Sequence, residues 1–333
     1  MDDDEGETGA RGQPVLTPGH YSIHGDGIVF SLDATDADMV IVGWRPGLKR
    51  IGFVVGVNRL GSARITSAGF LHLRGHAGLE VVELGAVPIT DDALASITTL
   101  TALRELDGQR CEQITDRAFA GLAARTELRR LRLHAAPITD AGLACIQSLR
   151  ELEDLQLGGA RLSDASIVVI SHFTKLHGLD LQQSAITDDG LAQFRFAKLT
   201  RLQHLNLSGT KITDGGLHHL AHLPALTRLA LNRLPVTASG LRGLASSSLA
   251  ELSLSDTHVT DDALVHLGRL GNLCFVDLDH CSITDRGLEI LAGIESLKRV
   301  SLFETKVTAA GYARVRRARP DLELWNLSFQ TQR

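Results

Sequence analysis

Leu202-Gln203-His204-Leu205-Asn206-Leu207-Ser208-Gly209-Thr210-Lys211-Ile212-Thr213-Asp214-Gly215-Gly216-Leu217-His218-His219-Leu220-Ala221-His222-Leu223 carries two hydrophobic periods in succession. Leu205 and Leu207 alternate with polar neighbours, as a strand with one buried face requires. Ile212, Leu217, Leu220 and Leu223 then follow at spacings of five, three and three, which is one face of a short helix. A strand and helix this short cannot bury their own apolar faces, so copies must stack. The pattern starts again at Leu226.

Outward from this stretch, strand-opening leucines are read at Leu48, Leu79, Leu103, Leu128, Leu152, Leu176, Leu202, Leu226, Leu249, Leu273, Leu297 and Leu322. From Leu79 the steps are 24, 25, 24, 24, 26, 24, 23, 24, 24 and 25 residues. The expected organisation is a solenoid over residues 48–333, with about eleven repeats and a terminal strand. Residues 15–47 are expected to form an N-terminal β cap from two apolar runs, Ile28-Val29-Phe30 and Met39-Val40-Ile41-Val42, with Asp33 to Asp38 as the turn. Residues 1–14 are acidic, glycine-rich and poor in large apolar groups, the composition of a disordered tail. The Leu48 repeat carries an insertion around Gly56–Gly61, and Phe194 and Phe196 are read as core on the helix side. Gly108 stands where other repeats have a core leucine, so packing there should be thinner. Pro320 stops a last helix rich in arginine, and Leu322 to Leu327 supply the last strand.

The L-x-x-L-x-L spacing is followed by a small ninth residue such as Cys111, Ala136, Thr210 or Cys281. It resembles the leucine-rich repeat family. The segment of type ITDxGLxxL is similar to the cysteine-containing subclass found beside F-box segments, and to bacterial repeats of the same style. Cys111-Glu112-Gln113-Ile114-Thr115-Asp116 matches that subclass best. The resemblance implies an α/β fold, a right-handed horseshoe with a parallel sheet on the concave face and short helices on the convex face. It also implies a non-catalytic module that binds a protein or peptide on the concave face. The alternative it raises is an adaptor or substrate receptor of a larger assembly, such as a ubiquitin-like ligase. No F-box pattern is visible in residues 15–47.

The formal charge is −5 and the pI about 6.3, with no Lys/Arg run outside the last helix, so nucleic acid is not an expected partner. Met1-Asp2-Asp3-Asp4-Glu5 lacks the order of a signal peptide, and no apolar run reaches membrane-spanning length. A cytoplasmic monomer without membrane contact is the expectation. Cys111, Cys145, Cys274 and Cys281 include no C-x-x-C pair and read as buried, reduced thiols rather than zinc ligands. No phosphate loop, nucleophile elbow or H-E-x-x-H is present, so no enzyme, cofactor or metal is expected, and an unrecognised catalytic site is the remote third reading. His218 and His222 are four apart but should face solvent, because Leu217, Leu220 and Leu223 hold the buried face. Asp33, Asp36 and Asp38 lack the glycine and distal glutamate of a calcium loop. The column Asp91, Asp116, Asp140, Asp164, Asp188, Asp214, Asp261 and Asp285 reads as first-turn helix capping, with no catalytic role.

The concave strand face remains. Third, fifth and seventh residues of each repeat point away from the core and stack in columns about 4.8 Å apart. The third column is read as Arg50, Val81, Glu105, Arg130, Asp154, Gly178, His204, Arg228, Glu251, Phe275, Arg299 and Leu324. Arg130 and Arg132 are candidate binding residues, but both should form lateral ion pairs, Arg130 with Glu105 or Asp154 and Arg132 with Asp107. Asp277 and Asp279 have no opposite charge beside them in their columns, and Asp256 and Glu304 add negative charge nearby. Phe275 and Phe303 are large rings on an otherwise polar face, and Arg299 can stack on Phe275. Together these residues are expected to form a site for a basic partner segment with an apolar anchor.

Overall fold

The computed structural model describes residues 19–31, 33–53, 64–85, 87–194, 198–244 and 248–325. The disordered tail expected at 1–14, the insertion at Gly56–Gly61, Arg195, Phe196 and Leu327 lie outside the described residues. Each repeat folds as its two periods dictate, with a strand of three or four residues followed by one short α- or 3-10 helix. In the opening stretch, Leu202, Leu205, Leu207, Ile212, Leu217, Leu220 and Leu223 are at most 2% exposed. Each contributes roughly 1.5–3 kcal/mol through burial, and only in contact with the next repeat.

Among the described residues fourteen strands, from Tyr21–His24 to Glu323–Trp325, form one sheet in sequence order. The first pair is antiparallel, and the following pairs are parallel with no shift of register between third-column residues. At ~4.8 Å per strand the stack runs about 60 Å along its curve.

Both ends differ from the sequence expectation. Gly27–Phe30 pairs in parallel with Arg50–Phe53, so the N-terminal cap is itself a turn of the solenoid. Val40–Gly43 is a short helix and not a second cap strand, with Met39, Ile41 and Val42 inside the core. Two buried residues side by side cannot share one face of a strand, whereas Met39 and Val42 share one face of a helix. Tyr21–His24 then folds back over the open edge, and Phe30, Phe53 and Phe70 fill the end of the core at centroid separations of 5.3 and 5.9 Å. At the other end Arg299 lies opposite Glu323, and Ser301 opposite Trp325. Glu323 therefore takes the third-column place expected for Leu324. Leu324 is 5% exposed and pairs with Val300. A one-residue slip exchanges the two faces of a strand, and burying Leu324 fixes the register.

The aspartate column is also corrected. The helix N-cap is the threonine: the hydroxyls of Thr115, Thr139, Thr187, Thr237 and Thr284 accept from the N–H two residues on. Where an aspartate follows the threonine, as it does after all of these but Thr237, it reaches across to the following repeat. Asp261 Oδ1 accepts the Thr284 N–H at 2.9 Å, and its Oδ2 accepts the Thr284 hydroxyl at 2.5 Å. The same two bonds join Asp91 to Thr115, Asp116 to Thr139, Asp140 to Ser163, Asp164 to Thr187, Asp188 to Thr213, Asp214 to Thr237 and Asp285 to Thr308. Asp36, read as part of a turn, makes the first of these ties, to Thr66. Glycine three residues after the threonine makes room: a Cβ on Gly287 would lie 2.2 Å from Asp261 Oδ1, and one on Gly240 2.3 Å from Asp214 Oδ1. Asp38 is buried. Burial alone would raise its pKa, but bonds from His20 and Thr35 hold it below the usual carboxylate range.

At Gly108 the packing is not thin, because a Cβ there would stand 2.8 Å from Cys111 Sγ, so the thiol occupies the space of the missing leucine. All four cysteines are free, Cys111 and Cys281 buried and Cys274 half-buried. Cys145 is exposed, contrary to the sequence expectation: Leu143 and not Cys145 faces inward from the helix Asp140–Cys145. Burial pushes the Cys111 thiol up to about 12 and raises that of Cys281. At pH 8 a thiol reagent should therefore label Cys145 first in the native protein, and four groups once the chain is unfolded. Rapid native labelling of Cys111 would contradict this packing.

Candidate functional site

The concave face is built by strand alternation: Leu229 and Leu252 point into the core while Arg228, Ala230, Glu251 and Ser253 point out. Its N-terminal and central arginines are each paired with a carboxylate of the same face. Arg50 pairs with Glu83 at 3.2 Å, Arg130 with Glu105 at 2.9 Å and Arg228 with Glu251 at 3.2 Å. Arg132 bridges two strands, to Asp107 at 3.5 Å and to Asp154, which its Nε reaches at 3.0 Å. Each pair is partly exposed and contributes on the order of 0–1 kcal/mol. Arg130 and Arg132 are thus occupied by neighbouring strands and make no clamp of their own.

In mid-face a depression of about 280 Å³ opens where Gly178 has no side chain and Ala230 only a methyl, walled by Asp154, Asp180, His204 and Arg228. Burial pushes Asp180 up, against the bonds it accepts from the Gln182 N–H and Asn206 Nδ2. A polar trough of about 250 Å³ continues past Asn206 and Asn232 to Asp277. The sequence signal for the depression was the small residue at Gly178, whose column neighbours are Asp154 and His204.

At the C-terminal end the pattern of paired charge stops. Arg299 Cζ lies 5.4 Å from the Phe275 ring centroid and 5.9 Å from that of Trp325, and the two rings are 5.9 Å apart. The stacking of Arg299 on Phe275, which in the sequence is the structural alternative to a binding role, is present, with a second ring added. Trp325 is 49% exposed and was absent from the sequence expectation, because the register of the last strand was read one residue late. Phe303 is half-buried, with the His280 ring edge-on to it at 5.6 Å, and His280 pairs with Glu304 at 3.2 Å.

The acidic residues separate by environment. Asp279 Oδ1 accepts the Ser301 hydroxyl and the Phe303 N–H, both at 2.7 Å, so this carboxylate organises the next turn. Asp277 accepts the Asp279 N–H at 3.0 Å and takes part in no described ion pair. Burial, with the charge of Asp279 added, pushes its carboxyl above the ordinary range. Asp256 is exposed and sits, like His280 and Glu304, at a left-handed turn residue, with φ of 57°, 60° and 51° respectively. The structure thus brings Phe275, Asp277, Arg299 and Trp325 together on neighbouring strands, with Asp256, Phe303 and Glu304 along the rim. Arg130 and Arg132 lie away from them, five and more strands back.

His218 and His222 are exposed, on the 3-10 helix Leu217–His222. Among the described residues no group of three His, Cys, Asp or Glu is placed to hold a metal. None of the described helices is long and apolar enough to cross a membrane.

Repeat, sheet and convex helices define a leucine-rich repeat solenoid. Residues 198–221 match the family model described as Leucine Rich repeat. The fold is similar to that of an internalin, inlF, from Listeria monocytogenes, at TM-score 0.59 and 19% identity over 90% of this chain and 86% of that one. Internalin C2, inlC2, of the same organism is 25% identical over 60% of this chain and 80% of that one, at TM-score 0.44. No curated protein matches the sequence.

Proposed function

We propose that the chain is a non-catalytic interaction module that holds a protein or peptide on its concave face and grips it at the C-terminal end. One observation carries this reading: Trp325, 49% exposed, stands beside Phe275 on a face whose other large side chains are mostly engaged in ion pairs. Exposed aromatic surface flanked by polar groups is the usual composition of an interface anchor. Asp277 receives a basic side chain of the partner, since an incoming cation offsets the burial that raises its pKa. Asp256 and Glu304 add a negative rim.

The test uses a partner recovered on the wild-type protein from its native host, with affinity measured by calorimetry. Phe275→Ser and Trp325→Ser should each weaken binding by about 1–4 kcal/mol without unfolding the protein. Asp277→Asn should weaken it less. With wild type, binding should strengthen as pH rises through the raised pKa of Asp277, because only the ionised carboxylate attracts the cation. Arg130→Ala combined with Arg132→Ala should change affinity by less than ~1 kcal/mol. If the aromatic double variant binds as tightly as wild type, the site lies elsewhere.

A further inference from the structure

Arg299 breaks a rule that the other concave arginines obey. Arg50, Arg130, Arg132 and Arg228 are each within 3.5 Å of a carboxylate on a neighbouring strand. Arg299 occupies the same column as Arg228, and Glu323 stands directly opposite it in register. It nevertheless takes part in no ion pair among the described residues, and rests on the rings of Phe275 and Trp325. Stacking occupies the face of a guanidinium. Its N–H edge is left available, in the fork geometry that a carboxylate fills with two parallel bonds. Two rings also restrict the side chain before any partner arrives, which lowers the entropy cost of using it.

We propose that Arg299 is a recognition residue for a carboxylate of the bound partner, set beside the aromatic anchor. The proposal rests on the reading of the concave face given above and adds the chemistry of one contact. The surroundings select a carboxylate over a phosphate: Asp277 and Glu323 lie on the two adjacent strands, Glu304 at the turn after the strand of Arg299 and Asp256 at the turn two strands back, and their field opposes a doubly charged ligand more than a singly charged one. Arg299 and Asp277 are neighbours on paired strands, one column apart. The matching segment therefore carries an apolar side chain with an acidic group on one side and a basic group on the other.

The experiment selects displayed random peptides on the wild-type protein and, in parallel, on Arg299→Gln, Arg299→Lys and Phe275→Ser with Trp325→Ser. One library has its C-termini fused to the display protein, so only side-chain carboxylates are offered; a second has free C-termini. Wild type should enrich Asp or Glu within two residues of a large apolar residue, and Arg299→Gln should abolish that enrichment. Enrichment confined to the free-ended library would assign the carboxylate to a chain terminus. A selected peptide, made synthetically, should bind Arg299→Gln at least tenfold more weakly. Converting its acid to the amide should cost the same on wild type and nothing further on Arg299→Gln. Arg299→Lys should recover only part of the loss, because an ammonium keeps the charge without the fork. Acid enrichment that survives in Arg299→Gln, or an amide peptide that loses as much on the variant as on wild type, overturns the proposal and leaves the concave-face reading intact. Selections that ignore the aromatic double variant, or that yield no binder to wild type, overturn both.

Discussion

Asp261→Ala should lower stability by about 1–3 kcal/mol, although its side chain lies on the convex edge and belongs to no hydrophobic contact. The loss comes from two donors, the N–H and hydroxyl of Thr284, which lose their acceptor together. Gly287→Ala should cost a similar amount by the opposite route, since its new methyl would lie 2.2 Å from Asp261 Oδ1 and 2.8 Å from Ile283 Cγ2. The double variant should cost clearly less than the two losses added, because removing the carboxylate vacates the space that the methyl needs. The protein contains that combination already: Ala238 takes the aspartate position before Thr260, and Ala263 takes the glycine position after it. Asp91 coexists with Ala118, so a small backbone shift can relieve such a clash, which keeps the single cost moderate. Urea denaturation of the four proteins measures the coupling. Strict additivity would mean that aspartate and glycine act independently, contrary to this account.

Leu207→Ala should have a larger effect, about 2–5 kcal/mol, because Leu207 is fully buried in the middle of the stack and its neighbours are held by backbone that cannot collapse around a void. The form of the transition should change as well. A repeat contacts only adjacent repeats, so a weakened central unit loosens the coupling between the two halves. Calorimetry should show a broadened or divided transition, and hydrogen exchange should place the first opening around 202–223. A transition that moves to lower temperature and stays as sharp as wild type would show that coupling extends beyond nearest neighbours.

Much of the fold was legible because the leucine period recurs along most of the chain and each copy repeats the same instruction. The ends were less so. Val40–Gly43 is a lone apolar run with no copy to compare, and it fits strand or helix equally well until its packing is known. At the last strand, Leu322 looks like a strand-opening residue, whereas Arg299 and Glu323 are paired 24 residues apart, the commonest step in the chain. That single residue hid Trp325 from the site. The outward columns, and with them Phe275, Asp277 and Arg299, were legible from strand alternation alone. The role of Asp279 was not, because the donors to its Oδ1 lie more than twenty residues ahead. The tying role of the helix aspartates was hidden for the same reason, since an acid at the start of a helix already has a sufficient local explanation. Its one sequence trace is the glycine, which recurs mainly where the preceding repeat supplies an aspartate.

The Asp–Thr ties are stitches along the outer seam of a curved strip, and two stitches are missing. Ser67 replaces one aspartate and reaches Thr90 through a single hydroxyl contact of 2.7 Å, and Ala238 leaves the step to Thr260 without any. On the inner side the strand ladder passes both places without interruption. Where a stitch is missing, the strip is held by its ladder and by helix packing alone. The second such step lies one repeat before Phe275, so the aromatic pair is tied to the repeats behind it by backbone ladder and by the packing of the helices Ala238–Gly243 and Asp261–Arg269, with no polar seam bond between Ala238 and Thr260.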